Sequence, residues 1–291
     1  MTTKQSLRRV AAAGAAMLAV SLLATPAVAE AAGGSTVSAP WASPRPATAS
    51  TGVVTDACDP TTTPGWIGRT IEGPTLNATV DSPIAASTTG TTLSARFDVW
   101  DLTTGSDSSV FHGTADSAGT GRATLRGVTG LTDGHSYAWR ARAIQGHRIS
   151  APTPDCHFRV DLTDVRFSVT SPDFPVLGSG QKPGKYAGQT GAFTITGADQ
   201  APAGGGEASG IACYRYALGN TGGIFMGCDR PDAVRPGPDG SVTLDLKVPD
   251  WGTNQLRVEA VDNAGNVSRT VTYDFYAPWH PDSPEDLGAL R

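Results

Sequence analysis

Along most of the chain, apolar and polar positions alternate with a period of two, in short runs separated by turn residues. Leu76, Ala78 and Val80 share one parity, and Leu93, Ala95, Phe97 and Val99 share the next. Ala123 and Leu125 follow. Then Tyr137, Trp139, Ala141 and Ala143 alternate with Ala138, Arg140 and Arg142, and Cys156, Phe158 and Val160 close the series. Turn clusters such as Asp81-Ser82-Pro83, Thr104-Gly105-Ser106 and Ala118-Gly119 separate these runs. The pattern resumes with Phe193 and Ile195, then Tyr214, Tyr216 and Leu218, then Val242, Leu244, Leu246 and Val248. Leu256, Val258 and Ala260 lead into a hairpin turn at Asp262 to Asn266, and Val271, Tyr273 and Phe275 form the return strand. Short runs at this spacing, with no helical period between them, predict an all-β chain and exclude strand-helix-strand units.

One alternating run ends at Val160 and another begins at Val165. About 220 residues of strand pattern are too many for one small sandwich and suit two. The expected division is 56–162 for the first module and 163–277 for the second, with a short connection that limits swing, and 278–291 as a polar tail. Two Gly-rich stretches in the second module, Gly178 to Gly188 and Ala203 to Gly206, read as long loops with no evident place in the pattern.

Leu131 to Ala143 reads Leu-Thr-Asp-Gly-His-Ser-Tyr-Ala-Trp-Arg-Ala-Arg-Ala, a turn feeding a half-buried strand. This resembles the corner before the sixth strand of fibronectin type III and immunoglobulin-like sandwiches. The resemblance implies that Leu131 and Tyr137 mark that corner, with the Tyr137 hydroxyl bonded to corner backbone. The run Val258 to Asn266 resembles the end of bacterial immunoglobulin-like repeats on exported proteins. Together these imply two tandem immunoglobulin-like or fibronectin type III-like β-sandwiches, of a kind found in secreted actinobacterial proteins. The likeness identifies a fold and says nothing of chemistry.

The N-terminus changes the picture of compartment. Lys4, Arg8 and Arg9 precede an apolar run from Val10 to Ala24, and Ala27-Val28-Ala29 supplies small residues for cleavage, so residues 1–29 read as a secretory signal peptide. Residues 30–55, rich in Ala, Ser, Thr, Pro and Gly, read as a disordered linker. No further apolar run is long enough to span a membrane, and no sortase-type signal follows, so a secreted, extracellular bacterial protein is expected, with no integral membrane segment after signal cleavage. Net charge is -5 with 17% charged residues, which leaves no polybasic field for nucleic acid.

The 4 cysteines of an exported chain imply disulfides. Three pairings are open, and the module division favours Cys58 with Cys156 and Cys213 with Cys228. Catalytic templates fail: Ser179 to Tyr186 departs from a phosphate loop at both ends, and Gly206 to Gly210 places its Ser one position late for a nucleophile elbow. No cofactor and no metal site is expected. The oxygens of Asp262, Asn263 and Asn266 could suit calcium, but turn chemistry accounts for the same letters. Alternation also places Arg96, Trp100, Arg140, Arg142 and Arg159 on the outer face of the first module. That face is either a solvated cross-strand ladder or a surface for a sugar or acidic glycan.

The sequence therefore points to a non-catalytic structural or interaction protein, serving adhesion, spacing or protein contact. Its partner would be an extracellular protein or a glycan. A carbohydrate-binding accessory role is the alternative, and a hydrolase with a site built from distant loops is the third reading.

Overall fold

The computed structural model describes residues 36–43, 64–70, 73–81, 92–105, 108–117, 121–219, 224 and 227–281. The expected signal peptide, Cys58 and most of the expected linker lie outside the described residues. Every regular element among those described is a strand, so the all-β expectation holds.

The first sandwich contains β1 (Thr36–Ser43), β2 (Trp66–Ile67), β3 (Thr75–Asp81), β4 (Leu93–Asp101), β5 (Ser109–Ser117), β6 (Gly121–Leu125), β7 (Ser136–Gln145), β8 (Arg148–Ile149) and β9 (Cys156–Val160). The second contains β10 (Arg166–Thr170), β11 (Thr190–Ala198), β12 (Ile211–Leu218), β13 (Ala233–Val234), β14 (Ser241–Lys247), β15 (Gly252–Asp262) and β16 (Val271–Ala277). One sheet of the first runs β1-β3-β6, and the other runs β2-β9-β7-β4-β5 with β8 on β7. The second is built as β10-β11-β14 against β13-β12-β15-β16. Without the short β2 and β8, each module places its first, second and fifth strands in one sheet and its fourth, third, sixth and seventh in the other. The same topology is thus repeated on two dissimilar sequences, as tandem sandwiches built from two packed sheets.

In both modules the period-two pattern becomes burial. Leu93, Ala95, Phe97 and Val99 of β4 and Tyr137, Trp139, Ala141 and Ala143 of β7 fill the first core, closed by Leu76, Ala78 and Val80 from the facing sheet. The second core is built on aromatic rings. Phe193 lies 6.0 Å from Phe174 and 5.2 Å from Phe275, and the Tyr273 hydroxyl donates to the Phe174 carbonyl at 3.0 Å. Each such buried ring contributes about 2–3 kcal/mol of transfer free energy. Phe174 can lie across β11 because Gly191 is there: a Cβ at that position would sit 2.4 Å from the ring.

Among the described residues, two of the longer strands depart from the pattern. Residues 36–43 fall inside the expected linker, yet they form β1, antiparallel to β3 from Thr36 opposite Asp81 to Ser43 opposite Thr75. The edge of β3 carries unpaired backbone groups, and pairing satisfies them whatever the side chains. Pro40 falls in the break in register between Ser38 and Trp41, where a residue without an N–H is tolerated. Similarly β5 lacks apolar parity but pairs along β4 from Leu93 opposite Ser117 to Trp100 opposite Ser109. Gly113 admits Leu125 of the facing sheet, whose methyl carbons come within 2.9 Å of where a Cβ would stand.

Candidate functional site

The corner before β7 is built around Tyr137. Its ring is fully buried and stacks on Phe158 at 5.5 Å, and its hydroxyl accepts the Thr132 N–H at 2.6 Å. Burial raises the hydroxyl's pKa above the ordinary tyrosine value. Leu131 packs against the same core. Next to it, His135 Nδ1 lies 2.7 Å from Asp101 Oδ2, while Asp101 Oδ1 takes the Thr103 N–H at 2.8 Å. Both polar residues thereby fix turns.

On the outer face of β4 and β7, the structure brings together Arg96, Trp100, Arg140 and Arg142. They line an open groove of about 540 Å³ with Asp98, Ser109 and Ile149. The pairing register sets this arrangement: Arg96 stands opposite Arg142, Asp98 opposite Arg140 and Trp100 opposite Ala138. The Arg140 guanidinium lies over the Trp100 ring, 5.0 Å from its centre. Arg96 is held by Asp98, with Nε and Oδ1 3.0 Å apart. Arg142 has no acidic partner among the described residues, and the residue facing it is another arginine. Like charges directly opposed across a sheet are destabilising, so this pair is maintained at a cost to the fold. Three guanidinium groups, an indole and the exposed Ile149 can receive a ligand that has both negative charge and a flat apolar face.

Arg159 is not part of that groove. It lies on β9, beside β7 and opposite Ser136, 4.0 Å over the Trp66 ring, with Nε donating to the Pro64 carbonyl at 2.9 Å. Its Nη1 pairs at 3.0 Å with Glu207, which belongs to the second module. Burial lowers the guanidinium's pKa, and the Glu207 charge opposes that shift.

Arg159 therefore belongs to the junction between the sandwiches, and alternation gave no sign of this role. The loop Ala203 to Glu207 crosses onto the first module's corner. A Cβ on Gly134 would lie 2.9 Å from the Gly205 carbonyl oxygen, and one on Gly206 would lie 2.6 Å from that of Gly134. Both glycines have positive φ, at 76° and 110°, so their lack of a side chain serves both conformation and contact. The Asp262 to Asn266 turn packs on the other flank. Asn266 Nδ2 donates to the Asp161 carbonyl at 2.8 Å and to Asp262 Oδ2 at 2.7 Å, while its Oδ1 accepts the Arg69 N–H at 2.6 Å. Asn263 donates to the carbonyls of Ser209 and Gly210. Of the oxygens weighed for calcium, those of Asp262 and Asn266 accept protein hydrogen bonds, while Asn263 is held through its Nδ2.

At the centre of the junction, Asp161, Asp199 and Asp262 each bring a carboxylate oxygen within 4.8 Å of the other two. Asp161 and Asp262 are 0% and 2% exposed. Asp161 accepts the Ser209 N–H at 2.7 Å, and Asp199 accepts the Gly210 N–H at 2.7 Å. The three residues lie far apart in the sequence and belong to different strand ends.

Cys213 and Cys228 form a disulfide with Cα atoms 5.8 Å apart, joining β12 to the stretch before β13. Cys156 is also disulfide-bonded, and its favoured partner Cys58 lies outside the described residues. In the stretch that mimics a phosphate loop, Lys185 donates to the Thr190 carbonyl at 2.7 Å and pairs with Asp173 at 3.1 Å, fastening the loop to β11. No helix among the described residues is long and apolar enough to cross a membrane.

No protein-family model and no curated protein matches the sequence. Among solved structures, the chain is similar to the fibronectin(III)-like modules of Clostridium thermocellum CbhA, at 12% identity and a TM-score of 0.40 over 84% of this chain and 94% of that one. It is also similar to the chicken CNTN1 FN1-FN3 domains, at 14% identity and 0.38 over 73% and 65%, and to a two-domain fibronectin type III segment of chicken tenascin, at 15% and 0.27 over 70% and 92%.

Proposed function

We propose that this chain is an extracellular, non-catalytic interaction protein, whose first module binds an acidic glycan through the outer face of β4 and β7. The observation that carries this reading is Arg142: a half-buried guanidinium without an acidic partner among the described residues, set opposite Arg96 in the groove beside the Trp100–Arg140 stack. Carboxylate or sulfate groups would supply the missing counter-charge, and a sugar ring would lie on the indole. The second module and the packed junction would then serve as a spacer that presents this face.

The test is binding of the full chain to a carboxylated or sulfated polysaccharide, with a neutral polymer as control. Retention should favour the acidic polymer and weaken with salt, and Arg142→Ala or Trp100→Ala should each lower affinity by about tenfold. Equal binding to both polymers, or indifference to both substitutions, would overturn the glycan reading. Turnover of the polymer would overturn the non-catalytic one.

A further inference from the structure

We propose that the junction between the two sandwiches is held by a proton: Asp161, Asp199 and Asp262 remain packed together while at least one of their carboxyls is protonated, and the contact loosens once all three are ionised. Asp161 comes from the connection after β9, Asp199 from just beyond β11, and Asp262 from the end of β15. The cluster thus spans the covalent link and two strand ends of the second module.

Three carboxylates at this spacing repel one another strongly where water is excluded. Their hydrogen bonds offset part of this. Asp161 accepts N–H groups from Thr163 and Ser209, Asp262 accepts two donors from Asn266, and Asp199 Oδ2 accepts from Ser209 and Gly210. Asp199 Oδ1 is different: it is buried and has no donor among the described residues. The Asp199 and Asp161 carboxyls lie within hydrogen-bonding reach of each other. Two ionised carboxylates have no hydrogen to share, so a proton on one of them completes that bond and removes a charge.

Among the described residues, the nearby cationic side chains are directed elsewhere. Arg69 is directed to the Leu162 carbonyl and Asp164, and Arg159 to the Pro64 carbonyl and Glu207. His135 is turned to Asp101. Asp133 accepts from Leu162 and Thr163, and Asp239 shares a groove with Asp199, so both add negative charge. Burial first, then neighbouring charge, raises Asp199 to about 6. Burial first, against the opposing Asn266 bonds, raises Asp262 to about 7. Raised values mean that the folded chain keeps protons which the unfolded chain has released. The contact's contribution is therefore complete below the ordinary carboxylate range and is lost as pH rises through about 6 to about 7.

The experiment is small-angle X-ray scattering of the full chain with a chelator present, at about pH 5 and about pH 8.5, on either side of both raised values. The wild type should show a longer maximum dimension and greater flexibility between modules at the higher pH. Asp199→Asn places an amide N–H where the proton would lie, and should stay compact at both. Identical scattering of the wild type at the two values would overturn the proposal, and so would a variant that keeps the full change. Recovery of the compact form on adding calcium at the higher pH would overturn it too, by making the cluster a cation site. Should Asp199→Asn fail to fold, the two wild-type curves still decide.

Discussion

The two modules share a strand order, and their outer faces settle charge in opposite ways. In the second, the third and sixth strands set Arg215 opposite Glu259, joined at 2.8 Å, and Thr270 donates to the other oxygen of that carboxylate at 2.7 Å. In the first, the same two strands set Arg96 opposite Arg142. Strand topology therefore does not dictate how a sheet face is neutralised. One face pairs its arginine with a carboxylate across the strands, and the other sets two arginines against each other. The cores differ as well: the first closes under a corner hydroxyl, and the second seats a ring on a glycine.

Glu259→Ala tests the paired face and should have the largest effect. Arg215 is 4% exposed, and removing its carboxylate should lower stability by about 3–5 kcal/mol in a denaturant titration. A loss below about 1 kcal/mol would show that the pair is not what completes that face. Gly191→Ala comes next, at about 2–3 kcal/mol, because Phe174 must move or the strand must bend. An unchanged melting temperature would refute the seating of the ring. Tyr137→Phe should cost about 1–2 kcal/mol, since it leaves the Thr132 N–H without its acceptor. Slower hydrogen exchange at Thr132, or no change, would remove the corner from this comparison. The smallest stability effect belongs to Arg142→Glu, which gives the first module the pairing already present in the second. It should stabilise by about 0.5 kcal/mol while abolishing retention on acidic polysaccharide. If stability and binding fell together, the arginine pair would be structural and the contrast between the faces would fail.

Alternation made the strands of both cores legible because each core is fed by one parity of each strand, as in Leu93 to Val99 and Tyr137 to Ala143. It also made the Arg and Trp face legible, since period two reports which side of a sheet a residue leaves from. It did not report position along the strand, so it placed Arg159 on the same face as Arg142 without showing that Arg159 stands opposite Ser136, at the junction end of β7. β1 and β5 were illegible because backbone pairing, not side-chain burial, places them. The junction was illegible for a different reason. Asp199 and Asp262 sit among turn residues whose letters are accounted for locally, and nothing in Ala203 to Glu207 names the corner at Gly134 as its target.

The connection between the modules is short, and its backbone is already committed. The N–H of Asp161 bonds to the Ile67 carbonyl, that of Leu162 to Asp133, and that of Thr163 to Asp161 itself, while the carbonyls of Asp161 and Leu162 accept from Asn266 and Arg69. A protease must draw several residues into an extended form before cutting, and here those residues have no free backbone edge to give. Cleavage at this link would have to wait for the junction to open, so the rate of nicking between the modules would measure that opening.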